Sequence, residues 1–172
     1  MRRTTQINFL FISFFILFVI TNCLGQKGIN DSLEYRISQI NKECISINND
    51  TTKFSAKTQD VFGYSAEGGE LTKYYDGKTL KKAILTLYGE RGQTTNEYYF
   101  LNGEIILIDK KNEKYVLPIY MGKLETKSKE ENKFYFKEQR LIRWIGKDGI
   151  ILDKFLYRDK EEELLADLKI VQ

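Results

Sequence analysis

Residues 96–109, NEYYFLNGEIILID, constrain this chain more than any other stretch, because two runs of strand-forming residues meet there around Asn102-Gly103. Asn-Gly between alternating apolar runs is the strongest short-range signal for a two-residue β-hairpin, since both central residues of the favoured turn need positive φ. Pairing outward from that turn sets Phe100 against Ile105, Tyr99 against Ile106 and Tyr98 against Leu107. Both faces of the hairpin are then apolar, so it belongs inside a larger sheet.

The same text recurs. Residues 133–145, KFYFKEQRLIRWI, align without a gap on residues 97–109, with Phe134, Tyr135 and Phe136 under Tyr98, Tyr99 and Phe100, and Glu138-Gln139 in place of the turn. Tyr74-Tyr75-Asp76-Gly77 is a fainter third copy. The Tyr-Tyr-x-x-Asn-Gly rhythm resembles that of MORN-variant repeats; the second copy lacks the glycine and the spacing is not constant, and no membership of that family is claimed.

Repeated hairpins joined in sequence imply an antiparallel meander. The excess of aromatic residues, 13% with 11 Tyr and 11 Phe, fits strands. Further strands are expected at 70–76 and 78–88, meeting at Asp76-Gly77, with a connection at 89–92. One or two polar strands are expected within 51–64, a turn at 110–113, an edge or bulged strand at 114–120 around Pro118, and a solvated loop over 122–133. After Asp148-Gly149, residues 150–152 and 155–157 read as a last strand or strand pair.

Two helices bracket the strands. Leu33, Ile37, Ile40, Cys44 and Ile47 form one stripe at spacings of three and four, predicting a helix over 30–47 with a capping-box-like start at Asp31 and Glu34. Leu164, Leu165 and Leu168 predict a second over 159–169, capped by Asp159. The fold class expected is α+β: a twisted antiparallel sheet of repeated hairpins, with an N-terminal and a C-terminal helix packed on one face.

Residues 1–25 read as a secretory signal peptide, with Arg2-Arg3 ahead of an apolar run from Ile7 to Ile20 that is short for a bilayer-spanning helix. Residues 26–172 form a single domain in this reading. Small residues at Cys23 and Gly25 place cleavage between Gly25 and Gln26. The alternative is lipidation at Cys23, where residues 19–23 resemble a lipobox except for Asn22. Either way the chain is expected in the periplasm or outside the cell, free or anchored as a lipoprotein, meeting membrane only through the leader or a lipid.

Composition narrows the chemistry. The 172 residues contain no histidine, the commonest general base near neutral pH and the commonest metal ligand. Cys44 is the one thiol left after cleavage, which excludes an intramolecular disulfide, and it reads as a small buried helix residue. Glu67 with Glu70, Glu90 with Glu97, and Asp148 with Asp153 are the available carboxylate pairs, and their spacing does not separate them from turn and surface residues. Gly89–Gly92 lacks the strand-to-helix context of a phosphate loop. No catalytic residue, cofactor or metal site is assigned. There are 27 basic and 24 acidic residues, and removing Arg2 and Arg3 with the leader leaves a balance of +1, no electrostatic footprint for nucleic acid.

Binding is the class that remains. Tyr135, Ile142 and Trp144 fall on one face of the second hairpin by simple alternation, next to Arg140 and Arg143. Aromatics beside arginines have the composition of protein interfaces and ligand-holding sheets. An exported interaction module without catalytic activity, docking an envelope or extracellular protein, is the first expectation. A carrier of an apolar ligand or lipid in a half-barrel cavity, and a structural envelope lipoprotein anchored at Cys23, are the alternatives.

Overall fold

The computed structural model describes residues 31–122 and 125–171, so the leader, its cleavage site and Cys23 lie outside the described residues. The chain divides into two compact units, Met1–Gln39 and Ile40–Gln172. In the first, residues 31–39 are helical and form the start of α1 (31–50). In the second, seven strands follow the rest of that helix: β1 (Ser55–Val61), β2 (Gly69–Asp76), β3 (Thr79–Gly89), β4 (Gly92–Leu101), β5 (Glu104–Tyr115), β6 (Thr126–Lys137) and β7 (Arg140–Ile145). Helix α2 (Tyr157–Val171) closes the chain. The strands lie in sequence order in one sheet, every neighbour antiparallel, which is the expected α+β meander.

The hairpin turns explain the order. Asn102 and Gly103 both have positive φ, as do Glu138 and Gln139 in the second copy, and the fainter third copy turns on Gly77-Lys78, one residue later than Asp76-Gly77. Left-handed backbone is free for Gly and tolerable for Asn, but costs other residues about 1 kcal/mol or more. Replacing Glu138-Gln139 by Asn-Gly therefore raises stability by about 1 kcal/mol, a gain of roughly 2–4 °C in thermal midpoint for a domain of this size. A thermal melt that does not move would show that the second turn is held from outside.

One extra residue in each hairpin changes the faces. The register slips between Tyr99 and Phe100, between Tyr135 and Phe136, and between Tyr74 and Tyr75, so the repeat extends to its bulges. Phe100 meets Ile105 as expected, but Tyr99 meets Leu107 and Tyr98 meets Ile108, not Ile106 and Leu107. In the second copy Tyr135 meets Arg143 and Phe134 meets Trp144. Trp144 thus sits on the Phe134 face, opposite the Tyr135 face to which simple alternation assigned it.

The front face carries the main core. Tyr98, Phe100, Ile108, Phe134 and Phe136 are buried with Leu164, Leu168 and Val171 of α2. Each fully buried side chain of this size contributes roughly 1.5–3 kcal/mol. On the back face Tyr99, Leu107 and Tyr135 line up across β4, β5 and β6, under Ile40, Cys44 and Ile47. Asn41 accepts the Tyr135 hydroxyl at 3.1 Å and Asn48 donates to the Tyr99 hydroxyl oxygen at 3.1 Å, which seats this half of α1 there. The two helices therefore take opposite faces rather than one: hairpins apolar on both sides need cover on both.

Four expected segments differ: the stretch expected as a solvated loop over 122–133 is strand β6 from Thr126 onward. β5 continues through Lys110–Glu113, where a turn was expected, because β6 faces it with opposite charges: Lys111 meets Glu131 and Glu113 meets Lys129. The expected strand at 114–120 is the end of β5 followed by a short 3₁₀ turn, Ile119–Met121, with Pro118 at its start. Residues 150–157 contribute one isolated bridge, Ile145 with Ile151, and a 3₁₀ turn whose Phe155 N–H is capped by Asp153.

Candidate functional site

The back face concentrates charge where helix α1 ends. Glu97 on β4 accepts Lys82 Nζ and Lys111 Nζ, each at 2.7 Å, and the Tyr99 hydroxyl at 2.7 Å. Lys82 also donates to Asn48 Oδ1 at 2.8 Å and lies 4.9 Å above the centre of the Tyr99 ring. Asp109, cross-strand from Glu97, approaches Lys111 at 3.3 Å. The side chains of Lys82, Glu97 and Asp109 are only 9%, 17% and 10% exposed.

Burial and pairing drive the two carboxyls apart. Burial alone would raise Glu97, but the bonds from Lys111, Lys82 and Tyr99 outweigh it and hold its pKa down at about 2. For Asp109 burial wins over the attraction of Lys111, with Glu131 adding repulsion, and its pKa rises to about 6. One buried oxygen, Oδ1, finds no hydrogen-bond partner among the described residues. Cys44 is buried close by, and burial pushes its thiol up to about 12, so it is no nucleophile near neutral pH.

A carboxylate pair with separated pKa values is the pattern of acid–base sites. Here, however, the acceptors of Glu97 are taken by two lysines and a tyrosine, and α1 lies over the group through Asn48. The arrangement can hold the end of α1 in place on the sheet; it leaves no open seat beside Glu97. Of the carboxylate pairs read from sequence, Glu90 is in the β3–β4 turn near the Tyr120 hydroxyl at 3.5 Å, Glu70 is exposed on β2, and Asp153 caps a turn. Glu97 faces Asp109 only because of the bulge beside Tyr99; unbroken pairing outward from Asn102-Gly103 sets Glu97 against Ile108.

The five residues expected to form a docking surface are not brought together. Tyr135 and Arg143 are buried on the back face. Trp144 is on the front, its ring 5.3 Å from that of Phe134, its indole N–H on Asn132 Oδ1 at 3.0 Å and its backbone N–H on the Tyr157 hydroxyl at 3.0 Å. Ile142 is the extra residue of the bulge. Arg140 is exposed and pairs with Glu161 at 3.0 Å, whose other oxygen accepts the Leu141 N–H and ties α2 to β7.

An exposed apolar surface occurs elsewhere. In an antiparallel meander the β1–β2, β3–β4 and β5–β6 connections share one end of the sheet. The opposite end has the turns Gly77-Lys78, Asn102-Gly103 and Glu138-Gln139, polar at each tip. At the shared end Phe62 is 77% and Tyr120 71% exposed, with Tyr64, Val116, Leu117, Ile119 and Met121 also exposed. The loop that carries residues 116–121 is fastened: Ile119 N–H donates to Glu90 O and Tyr115 N–H to Arg91 O, both at 2.9 Å. Sequence reasoning missed this surface because it placed 114–120 in a strand, where alternate residues would have been covered.

Clefts of about 410 and 460 Å³ complete the surface. The first is lined by Lys129, Glu131 and Lys133 with residues 145–149, the second by Gln93, Asn112, Glu113, Lys114 and Glu130 beside Tyr64 and Leu87. Among the described residues no helix is long and apolar enough to cross a membrane, and no group of three or more metal-ligating side chains occurs. The fold and these surfaces define an α+β meander with an apolar loop end and a buried ionic cluster. No protein-family model, curated protein or solved structure matches the chain.

Proposed function

We propose that the protein is an exported, non-catalytic interaction module that docks another protein through the loop end of its sheet. The observation that carries this reading is the grouping of Phe62, Tyr64, Val116, Leu117, Ile119, Tyr120 and Met121 at one end. Exposed apolar side chains concentrated at one end of a sheet mark interaction sites, and aromatic and Met residues are those that interfaces favour. The charged lining of the clefts favours docking over carriage of an apolar ligand, which needs an apolar cavity. Export rests on the leader, with release before Gln26 and a lipid on Cys23 as its two endings.

One experiment addresses both parts. A photo-crosslinking residue is placed at Tyr120, at Phe62 and, as control, at Glu138, in the cell that produces the chain, and the exported protein is recovered for intact mass. Crosslinks to one partner from Tyr120 and Phe62, absent from Glu138, are expected, on a chain that begins at Gln26 or carries a lipid on Cys23. Equal labelling at all three positions would remove the docking reading; an uncleaved chain retained in the cytoplasm would remove export.

A further inference from the structure

Four side chains close a ring where the end of α1 meets β3 and β4. Lys82 Nζ touches Asn48 Oδ1 at 2.8 Å and Glu97 Oε2 at 2.7 Å. The Tyr99 hydroxyl touches the same Glu97 oxygen at 2.7 Å and Asn48 Nδ2 at 3.1 Å. An amine is thus held against the carbonyl of a primary amide, with a carboxylate on the amine and a hydroxyl on the amide nitrogen. The amide carbon lies one C=O bond beyond Oδ1, so it is no more than about 4 Å from Nζ. The side chains of Lys82 and Glu97 are 9% and 17% exposed, which keeps water from competing for the amine. Asn48 is exposed, so a group leaving its Cγ reaches solvent. Lys111, the other lysine on Glu97, meets the carboxyl of Asp109 at 3.3 Å and no amide among the described residues.

We propose that Lys82 and Asn48 join in an isopeptide bond that ties the end of α1 to β3. Glu97 takes a proton from the Lys82 ammonium, and the freed amine attacks Asn48 Cγ. The Tyr99 hydroxyl, 3.2 Å from Oδ1, supports the charge that develops there. The Nζ–Cγ bond forms and the Cγ–Nδ2 bond breaks. The amine gives up two protons in all, and both pass through Glu97 and Tyr99 to Nδ2, which leaves as an ammonium ion. No oxidant, metal or second substrate is consumed. Both reactants belong to the chain, so the reaction needs no open seat beside Glu97 and takes place once, without turnover. The ion pairs of Lys82 are those of the chain before it reacts.

Cys44 is the single cysteine among the described residues, so no disulfide can close this part of the chain. An amide between residues 34 apart closes it in any redox environment and limits the unfolded state as a disulfide would. The bond is independent of the apolar loop end and of the reading given to it.

Tandem mass spectrometry of a tryptic digest of the exported chain tests this. One branched peptide joining residues 48 and 82, lighter by one ammonia than the sum of its arms, is expected. The branch is the readout, because Gln26 as a new N-terminus also loses ammonia when it cyclises. Lys82→Arg, which keeps the charge, and Asn48→Ala, at an exposed position, should give linear peptides only. Glu97→Gln and Tyr99→Phe should slow the joining about tenfold or more, with circular dichroism showing the fold retained. The neighbours of Glu97 hold its pKa at about 2, so it takes the ammonium proton against a gradient. Alkaline incubation should therefore complete the reaction in any unreacted fraction; Lys111, Asp109 and Cys44 are the other titratable groups around the ring. Linear peptides alone from the wild type, after alkaline incubation as well, overturn the proposal. So does a branch from Lys82 to a residue other than Asn48, or one that forms in Glu97→Gln at the wild-type rate.

Discussion

Glu97→Ala lowers the stability of the domain by about 3–5 kcal/mol, the cost of removing one partner from a buried ion pair and leaving the other charge unmatched. Lys82 bears most of that cost. Its side chain is 9% exposed, and after the substitution the ammonium keeps only Asn48 Oδ1 and the Tyr99 ring among the described residues. Lys111 is more exposed and retains Asp109 at 3.3 Å, so it loses less. For a domain of this size the loss corresponds to a thermal midpoint roughly 10 °C lower. Chemical denaturation with an unchanged slope is the cleaner reading, because it shows that the compactness of the two end states is the same. The double substitution Lys82→Met with Glu97→Leu recovers much of the loss, since an apolar pair of similar volume needs no solvation. A cost below about 1 kcal/mol for Glu97→Ala would mean that water reaches the cluster and that the pair behaves as a surface one.

That cluster marks the boundary of what the residues disclose without coordinates. The hairpin at Asn102-Gly103 and its copy at residues 133–145 are legible because turn chemistry and alternation agree, and the meander follows from their order. The bulges are not legible. Tyr98, Tyr99 and Phe100 are all aromatic, so a slip of one residue changes no visible pattern, yet it moves Trp144 and Arg143 to opposite faces from those that even alternation gives. Lys110–Glu113 reads as a turn by composition and is a strand by cross-strand charge pairing, an effect that lies twenty residues away on β6. The exposed loop end is hidden for the same reason. Once β5 runs to Tyr115, residues 116–121 fall beyond the sheet, and their apolar side chains have no neighbour strand to cover them. Burial of charge is hidden for a related reason: Lys82 and Asp109 look like ordinary polar strand positions until Asn48 and Cys44 are laid over them.

Asp109→Asn raises stability near neutral pH by an amount on the order of 2–3 kcal/mol and leaves it nearly unchanged at pH 4. In the folded chain burial raises the carboxyl from 3.8 to about 6, so between those values the folded state binds more protons than the unfolded one. Stability then falls as pH rises through that window, and the full penalty of a buried, incompletely paired carboxylate is present above it. Glu97 works in the opposite sense. Its folded value of about 2 against an ordinary 4.5 means that its contribution is complete above pH 4.5 and is lost as the pH falls toward 2. The two opposed slopes meet in a narrow range near pH 4–5, where Glu97 is already ionised and Asp109 is still protonated. Denaturation midpoints across pH 3–8 for both proteins check this: the wild type should decline from that range toward neutrality, and the Asn variant should not. Parallel profiles would mean that Lys111 and Lys133 compensate Asp109 fully, and that its ionisation costs the fold nothing.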